Sequence, residues 1–184
     1  MKNYIPLSLL GVTVTLLFSA CASAPKGVEP ISNFHINRYL GKWYEIARLD
    51  HRFERNLKNV TAEYSKNENG TIDVLNSGFD NAEGQWKSVK GTAKFRGDTT
   101  VGALKVSFFG PFYAGYNVIA IDEKYQYALV AGKSLKYLWI LSRSNTIPEE
   151  IKKNFLKKAE HIGYDKSQLI WVEQKADRPA GDKN

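Results

Sequence analysis

Residues 41–142 form a succession of short segments rich in β-branched and aromatic side chains, separated by turn signals, with no segment of helical period between any two of them. This pattern is the tightest constraint on the fold. Parallel neighbours need a long crossover, usually a helix, so strands joined by short connections run antiparallel. Eight segments can be read: 41–48, 60–65, 71–78, 85–95, 103–109, 116–121, 125–131 and 137–142. Asn69-Gly70 predicts a tight hairpin between the second and third, because both residues tolerate positive φ.

A helix follows. Thr146-Ile147-Pro148-Glu149 has the form of a capping box with proline in the first turn. Ile151, Phe155, Ala159 and Ile162 then recur at three- and four-residue steps, and Gly163 is the expected stop. Lys152, Lys153, Lys157 and Lys158 lie off that face and read as a solvated surface. A further strand, 168–173, comes after it. Eight antiparallel strands can build a sandwich or a barrel. A single late helix, needing one flank to lie on, favours a closed barrel, which also removes exposed edges. The expected fold is therefore all-β: an eight-stranded antiparallel up-and-down β-barrel with one C-terminal α-helix packed outside.

Composition limits the function classes. With 43% hydrophobic and 24% charged residues in 184, the chain has one domain's worth of core and is not disordered. One cysteine excludes an internal disulfide, and three histidines (His35, His51, His161) lack the spacing of a metal site. No Gly-x-Ser-x-Gly elbow is present, so no enzyme is expected. No cofactor or haem is expected either. The net charge of +7 favours anionic partners or surfaces, but no nucleic-acid motif accompanies it.

The N-terminus reads as an address. Lys2, an apolar stretch over 5–18 and Ser19-Ala20-Cys21 describe a secretory signal, too short for a membrane span. Leu16-Leu17-Phe18-Ser19-Ala20-Cys21 resembles the lipobox of bacterial lipoproteins. That resemblance implies acylation at Cys21 and, because Ala22 rather than Asp follows, sorting to the outer membrane. Multiple acyl chains would hold the protein firmly where a single chain is marginal. The expected organisation is a signal peptide over 1–20, a lipidated tether over 21–33, a barrel domain over 34–174 and a flexible tail over 175–184.

Alternation predicts which side chains enter the barrel. If Trp139 points inward, Tyr137, Leu141 and Arg143 do too, while Leu138 and Ile140 face outward where the helix can cover them. Trp43, Glu45 and Ala47 share one face of the first strand. Leu104, Val106 and Phe108 are placed inside, with Lys105 and Ser107 outside. Trp43 and Arg143 form a structural plug at the closed end, a guanidinium over an indole. A carboxyl inside a barrel must find a donor or rest protonated, so Glu45 either meets a ligand's polar head or pairs with a neighbour. Arg48, Arg52, Arg55 and Lys58 make either a phosphate-binding rim or a solvated loop.

Gly41-Lys42-Trp43-Tyr44, with Arg143 after Trp139-Ile140-Leu141-Ser142 and before a helix, resembles the signature of the lipocalin family. The stretches 33–55, 104–113 and 116–120 are similar to its bacterial outer-membrane lipoprotein branch. Where the family carries Thr-Asp-Tyr, this chain has Ile121-Asp122-Glu123. The resemblance implies binding of fatty acids and lysophospholipids in the barrel, storage or transport of lipid for envelope maintenance, a barrel facing the periplasm, and a homodimer. Vertebrate members line their pocket at positions matching Tyr64, Asn76 and Trp139. Glu45, Val106, Phe108, Tyr113 and Asn117 complete the candidate ligand-binding set, with Gly41, Trp43 and Arg143 as the structural signature. The competing expectation is a structural envelope lipoprotein whose barrel is filled by its own aromatics.

Overall fold

The computed structural model describes residues 23–51 and 54–175. The expected signal segment, Cys21, Arg52 and the tail beyond Lys175 lie outside the described residues. The chain order is α1 (Ile36–Tyr39), β1 (Gly41–Leu49), β2 (Leu57–Lys66), β3 (Ile72–Asp80), β4 (Gln85–Phe95), β5 (Ala103–Ser107), β6 (Ala114–Ile121), β7 (Tyr127–Ala131), β8 (Leu138–Ser142), α2 (Glu149–Ile162), a 3-10 turn (Lys166–Gln168) and β9 (Leu169–Trp171). Strands β2 to β8 pair in sequence order, β8 pairs with β1, and β1 pairs back to β2, so eight antiparallel strands close a barrel. The expected fold class is the observed one.

The ninth strand has a specific task. Gly41 to Tyr44 of β1 pair with β2, and past that point the two strands part. β9 pairs with Ala47 to Leu49 in the gap. Beyond it, Val172 N–H donates to Ile46 O (2.9 Å), Asn59 N–H donates to Glu173 O (2.7 Å), and the Gln174 amide donates to Glu45 O and Val60 O, 2.8 Å each. The C-terminal segment thus satisfies backbone groups that the split would leave bare.

Two apolar clusters follow from strand alternation. The inner one gathers Phe34, Tyr39, Trp43, Tyr64, Val74, Leu104, Val118 and Leu141 inside the barrel. The outer one sets Phe155 and Ala159 of α2 against Leu138, Ile140, Leu129 and Ile119. Trp139 packs on the inner cluster while Leu138 and Ile140 lie under the helix, as the parity of β8 predicts.

In β1 the parity reading fails after Glu45. The β1–β8 register advances by one between Glu45, opposite Leu141, and Ala47, opposite Ile140. This bulge inserts Ile46 and flips every later side chain to the other face. Ala47, expected inside, packs under the helix, and Arg48, expected on a basic rim, turns inward and is buried.

Other local expectations change too. α2 begins at Glu149 with Pro148 as its N-cap and no side-chain cap, so there is no capping box. The Thr146 carbonyl is instead held by the hydroxyls of Ser142 (2.8 Å) and Ser144 (3.0 Å). Gly163 does end the helix, at φ +105°. The β2–β3 connection spans 67–71, and only Gly70 adopts positive φ (+80°). Asn69 stays in the right-handed half and accepts from Thr71, so the turn is wider than a two-residue hairpin. Residues 23–33, expected as a tether, run along the wall: Ile31 N–H donates to Val118 O (2.9 Å), and Ile31 O accepts from Gly102 (2.8 Å).

Candidate functional site

The ends of the barrel are defined by chain direction. Connections 67–71, 96–102 and 122–126 lie at the end where β1 starts; 50–56, 81–84, 108–113 and 132–137 lie at the opposite end.

The first end is plugged. The Arg143 guanidinium lies 3.8 Å from the Trp43 ring centroid. It donates to the carbonyls of Lys42 (2.7 Å), Arg38 (2.9 Å), Tyr39 (3.0 Å) and Leu40 (2.9 Å). Those of Arg38, Tyr39 and Leu40 are carbonyls that the end of α1 leaves without intrahelical partners. Trp43 Nε1 donates to Tyr39 O (2.8 Å), tying the ring to the same turn. Gly41 sits at φ +89°, where a side chain is strained, beside Arg143 Nη1. The motif is thus one packed unit. Asp122 holds the adjoining connection, its Oδ1 accepting from Gln126 N–H (2.6 Å) and Tyr127 N–H (2.7 Å). The turn is intact without the family's threonine and tyrosine.

Above the plug lies a layer of phenols. Tyr39 and Tyr64 each bond the Tyr116 hydroxyl, at 2.6 and 2.8 Å. Burial pushes the Tyr39, Tyr64 and Tyr116 phenols up, so all three stay neutral. Tyr116 was not among the sequence candidates. Its alternation with Val118 gives the inward direction, and only the closed ring of strands brings it to Tyr39 and Tyr64.

Beyond the phenols the lumen wall becomes half-buried. Ala62 faces Asn76 across β2 and β3, and both are at intermediate exposure, as are Val106, Phe108 and Trp139, which pack on the inner cluster. Asn76 Oδ1 is buried and accepts no hydrogen bond, an exception to the rule that buried polar atoms are paired.

The mouth carries a buried charged network. Arg48 Nη1 donates to Glu45 Oε1 at 2.7 Å, and Arg48 Nη2 donates to Glu54 O at 2.6 Å. His51 Nε2 lies 3.0 Å from Glu54 Oε2, and Trp139 Nε1 donates to that oxygen at 3.3 Å. The His51 ring meets Trp139 edge-on, with centroids 5.5 Å apart. Burial first, then the charge of Glu54, push the Glu45 carboxyl well above the usual carboxylate range, against the pull of Arg48. Burial acts on Glu54 the same way, but His51, a hydrogen bond from Glu45 and the Arg48 charge outweigh it and hold Glu54 low. The two carboxyls are thus pushed in opposite directions, Glu45 up and Glu54 down. Glu45 thus has a charged neighbour, Arg48, that sequence parity had placed on the other face.

Two sequence candidates stand elsewhere. Tyr113 lies outside the wall, its ring 5.6 Å from Lys94 Nζ and 5.2 Å from Lys105 Nζ. Asn117 is fully buried within the outer side of β6. It accepts from Arg96 and donates to Ser23 O (3.0 Å) and Ala131 O (3.1 Å), so it clasps strands together. Of the expected basic rim, Arg55 is exposed and pairs with Asp50 (3.0 Å), while Lys58 lies near Glu173 (3.8 Å). Among the described residues no cluster of His, Cys, Asp or Glu is arranged to hold a metal ion.

An eight-stranded barrel plugged at one end, with a half-buried wall toward the other, is the architecture that holds one small ligand inside. The chain belongs to the lipocalin family: the lipocalin-like domain matches it over residues 34–174. It is 53% identical over 165 residues to the outer membrane lipoprotein Blc of Citrobacter freundii, covering 89% of this chain and 93% of that one. Outer membrane lipoprotein Blc of Vibrio cholerae is 47% identical over 164 residues, covering 89% and 96%. Among solved structures, insecticyanin from the tobacco hornworm Manduca sexta superposes with a TM-score of 0.66 at 25% identity, covering 81% of this chain and 85% of that one. The resemblance to the bacterial outer-membrane branch thus extends over most of the chain.

Proposed function

We propose that this protein is an outer-membrane lipoprotein, acylated at Cys21, that carries lipids in its barrel and acts in the periplasm for envelope maintenance. Its ligands are fatty acids and lysophospholipids. It performs no catalysis. The observation that carries this reading is the change of character along the lumen. The plugged end is filled by Trp43, Tyr39 and Phe34, whereas toward the mouth the wall is half-buried and mainly apolar, with Asn76 Oδ1 lacking a partner. A buried acyl chain gains about 0.8 kcal/mol per CH₂, so sixteen carbons supply up to about 12 kcal/mol before ordering costs. Affinity then comes from the chain, while Asn76 and the Glu45–Arg48–Glu54 network select the head group. Glu45, Tyr64, Asn76, Val106, Phe108 and Trp139 form the ligand wall. Tyr113 flanks the mouth from outside, and Asn117 supports the wall. A homodimer belongs to the same reading, with exposed Ile170 and Trp171 on β9 as the apolar patch available to it.

The test is a tryptophan-fluorescence titration with lysophosphatidylethanolamine and with a C18 fatty acid, Trp139→Phe serving as control. Saturable quenching near one equivalent, lost in the variant, is expected. A folded, lipid-free sample that responds to neither ligand would overturn the carrier reading. That result would favour a barrel filled by its own aromatics, to which the Phe34–Tyr39–Trp43 stack already lends weight.

A further inference from the structure

We propose that the open rim of the barrel docks into the lipid leaflet that holds the N-terminal anchor, with Phe109 and Phe112 inserted below the head groups. The inference rests on the lipoprotein reading above and adds an orientation and a contact surface to it.

Three observations converge on the rim. The first is the distribution of exposed large apolar side chains. Phe109 (66% exposed), Phe112 (82%) and Tyr113 (39%) all belong to the connection between β5 and β6, and Leu135 (42%) to that between β7 and β8. Both connections lie at the open end. The plugged-end connections differ: 67–71 is polar, and the aromatic of 122–126, Tyr125, is buried beneath Arg38. Contiguous exposed apolar groups mark a surface that meets something apolar.

The second is where the chain emerges. The Ser23 carbonyl accepts from Asn117 Nδ2 at 3.0 Å, and Ser23 lies so close on Gly115 that no Cβ would fit there. Gly115 and Asn117 follow directly after the 108–113 connection. Cys21 is two residues upstream, and two Cα–Cα steps span at most about 8 Å. The anchor therefore leaves the barrel beside the exposed aromatics rather than at the plugged end.

The third is charge. Lys133 and Lys136, both exposed, flank Leu135 in the 132–137 connection of the open end. Lysines beside an exposed apolar side chain suit the phosphate level of a leaflet. A docked rim turns the mouth at Trp139 toward the leaflet, so an acyl chain can enter without crossing bulk water.

The test uses the full acylated protein in phosphatidylethanolamine–phosphatidylglycerol vesicles. Acylation consumes Cys21, the sole cysteine, so a thiol introduced by Phe112→Cys or, at the plugged end, by Glu68→Cys takes an NBD label uniquely. Dibrominated lipid is expected to quench position 112 about twofold, as a depth of about 5–10 Å below the head groups implies, and to leave position 68 unchanged. Adding Phe109→Ser to the labelled Phe112→Cys protein should weaken that quenching, which separates docking from partitioning of the probe. Protein that floats with vesicles while position 112 stays unquenched overturns the docking alone. Protein that does not float overturns the anchor and the docking together. Shielding of position 112 without vesicles, rising with protein concentration, places a second copy on the rim and also overturns the proposal.

Discussion

The two ends of this barrel each hold an arginine, half-buried at the plugged end and buried at the mouth, and each satisfies it differently. At the plugged end Arg143 meets backbone carbonyls and the face of Trp43. None of those partners titrates. At the mouth Arg48 meets Glu45 and the Glu54 carbonyl, with the Glu54 carboxylate 3.9 Å from its Nε. These are charged or titratable partners in a buried site. The first arrangement fixes a structure at any physiological pH. The second holds a charge balance that protons or a polar ligand can disturb, which suits a mouth that must admit something.

The largest expected effect is at the mouth. Arg48→Met should cost about 3–5 kcal/mol in urea unfolding at neutral pH, because it strands a buried carboxylate. The loss should shrink as the pH falls into the carboxylate range. If it were the same at pH 4.5 and 8, the contrast between the two arginines would fail. Arg143→Ala should cost about 3 kcal/mol through lost stacking and carbonyl bonds, equally at pH 5 and 8. A pH-dependent loss there would also blur the distinction.

Glu45→Gln sharpens the comparison. Glu45 titrates higher in the folded than in the unfolded chain, so the folded state binds the proton more tightly. Its contribution is complete below the unfolded value near 4.5 and is lost as pH rises toward the folded value. Glutamine keeps the donor toward Glu54 and removes the titration, so the Tm of Glu45→Gln should gain on wild type as pH rises from 5 to 8. Glu54 runs the other way: held low, it contributes above the ordinary carboxylate value and loses that contribution in acid. Smallest of all, Phe112→Ser should change stability by less than about 0.5 kcal/mol, since that ring is 82% exposed. A larger loss in unfolding experiments would mean the rim packs on the barrel rather than facing outward.

Much of this structure was legible in the residues. Short strands with short connections leave antiparallel closure as the natural outcome, and the period of α2 announces the face it buries. Once Trp139 is taken as inward, the outward direction of Leu138 and Ile140 follows from alternation. So does the pairing of Trp43 with Arg143, once both are known to face the same end. Val106 and Phe108 follow from the same rule, whereas Tyr64 and Asn76 rest on the family resemblance. Alternation is a property of the backbone within one strand, and the sequence carries it without reference to partners.

What the sequence could not carry was register between strands. The bulge at Ile46 exists because β1 must serve β8 along one edge and both β2 and β9 along the other, and no local pattern in residues 41–49 signals it. That single inserted residue moved Arg48 from an imagined rim into the buried network and sent Ala47 under the helix. The same limit hid Tyr116, which joins Tyr39 and Tyr64 only across the closed ring. It also hid the run of residues 23–33 along the wall, whose bonds go to β6 and the strand connections near it. The sequence by itself determined the strands, their faces and the class of barrel, because those depend on neighbours in the chain. Only the tertiary structure decided which charges meet at the mouth and where the N-terminal segment leaves the barrel, because those depend on residues far apart in sequence that closure brings together.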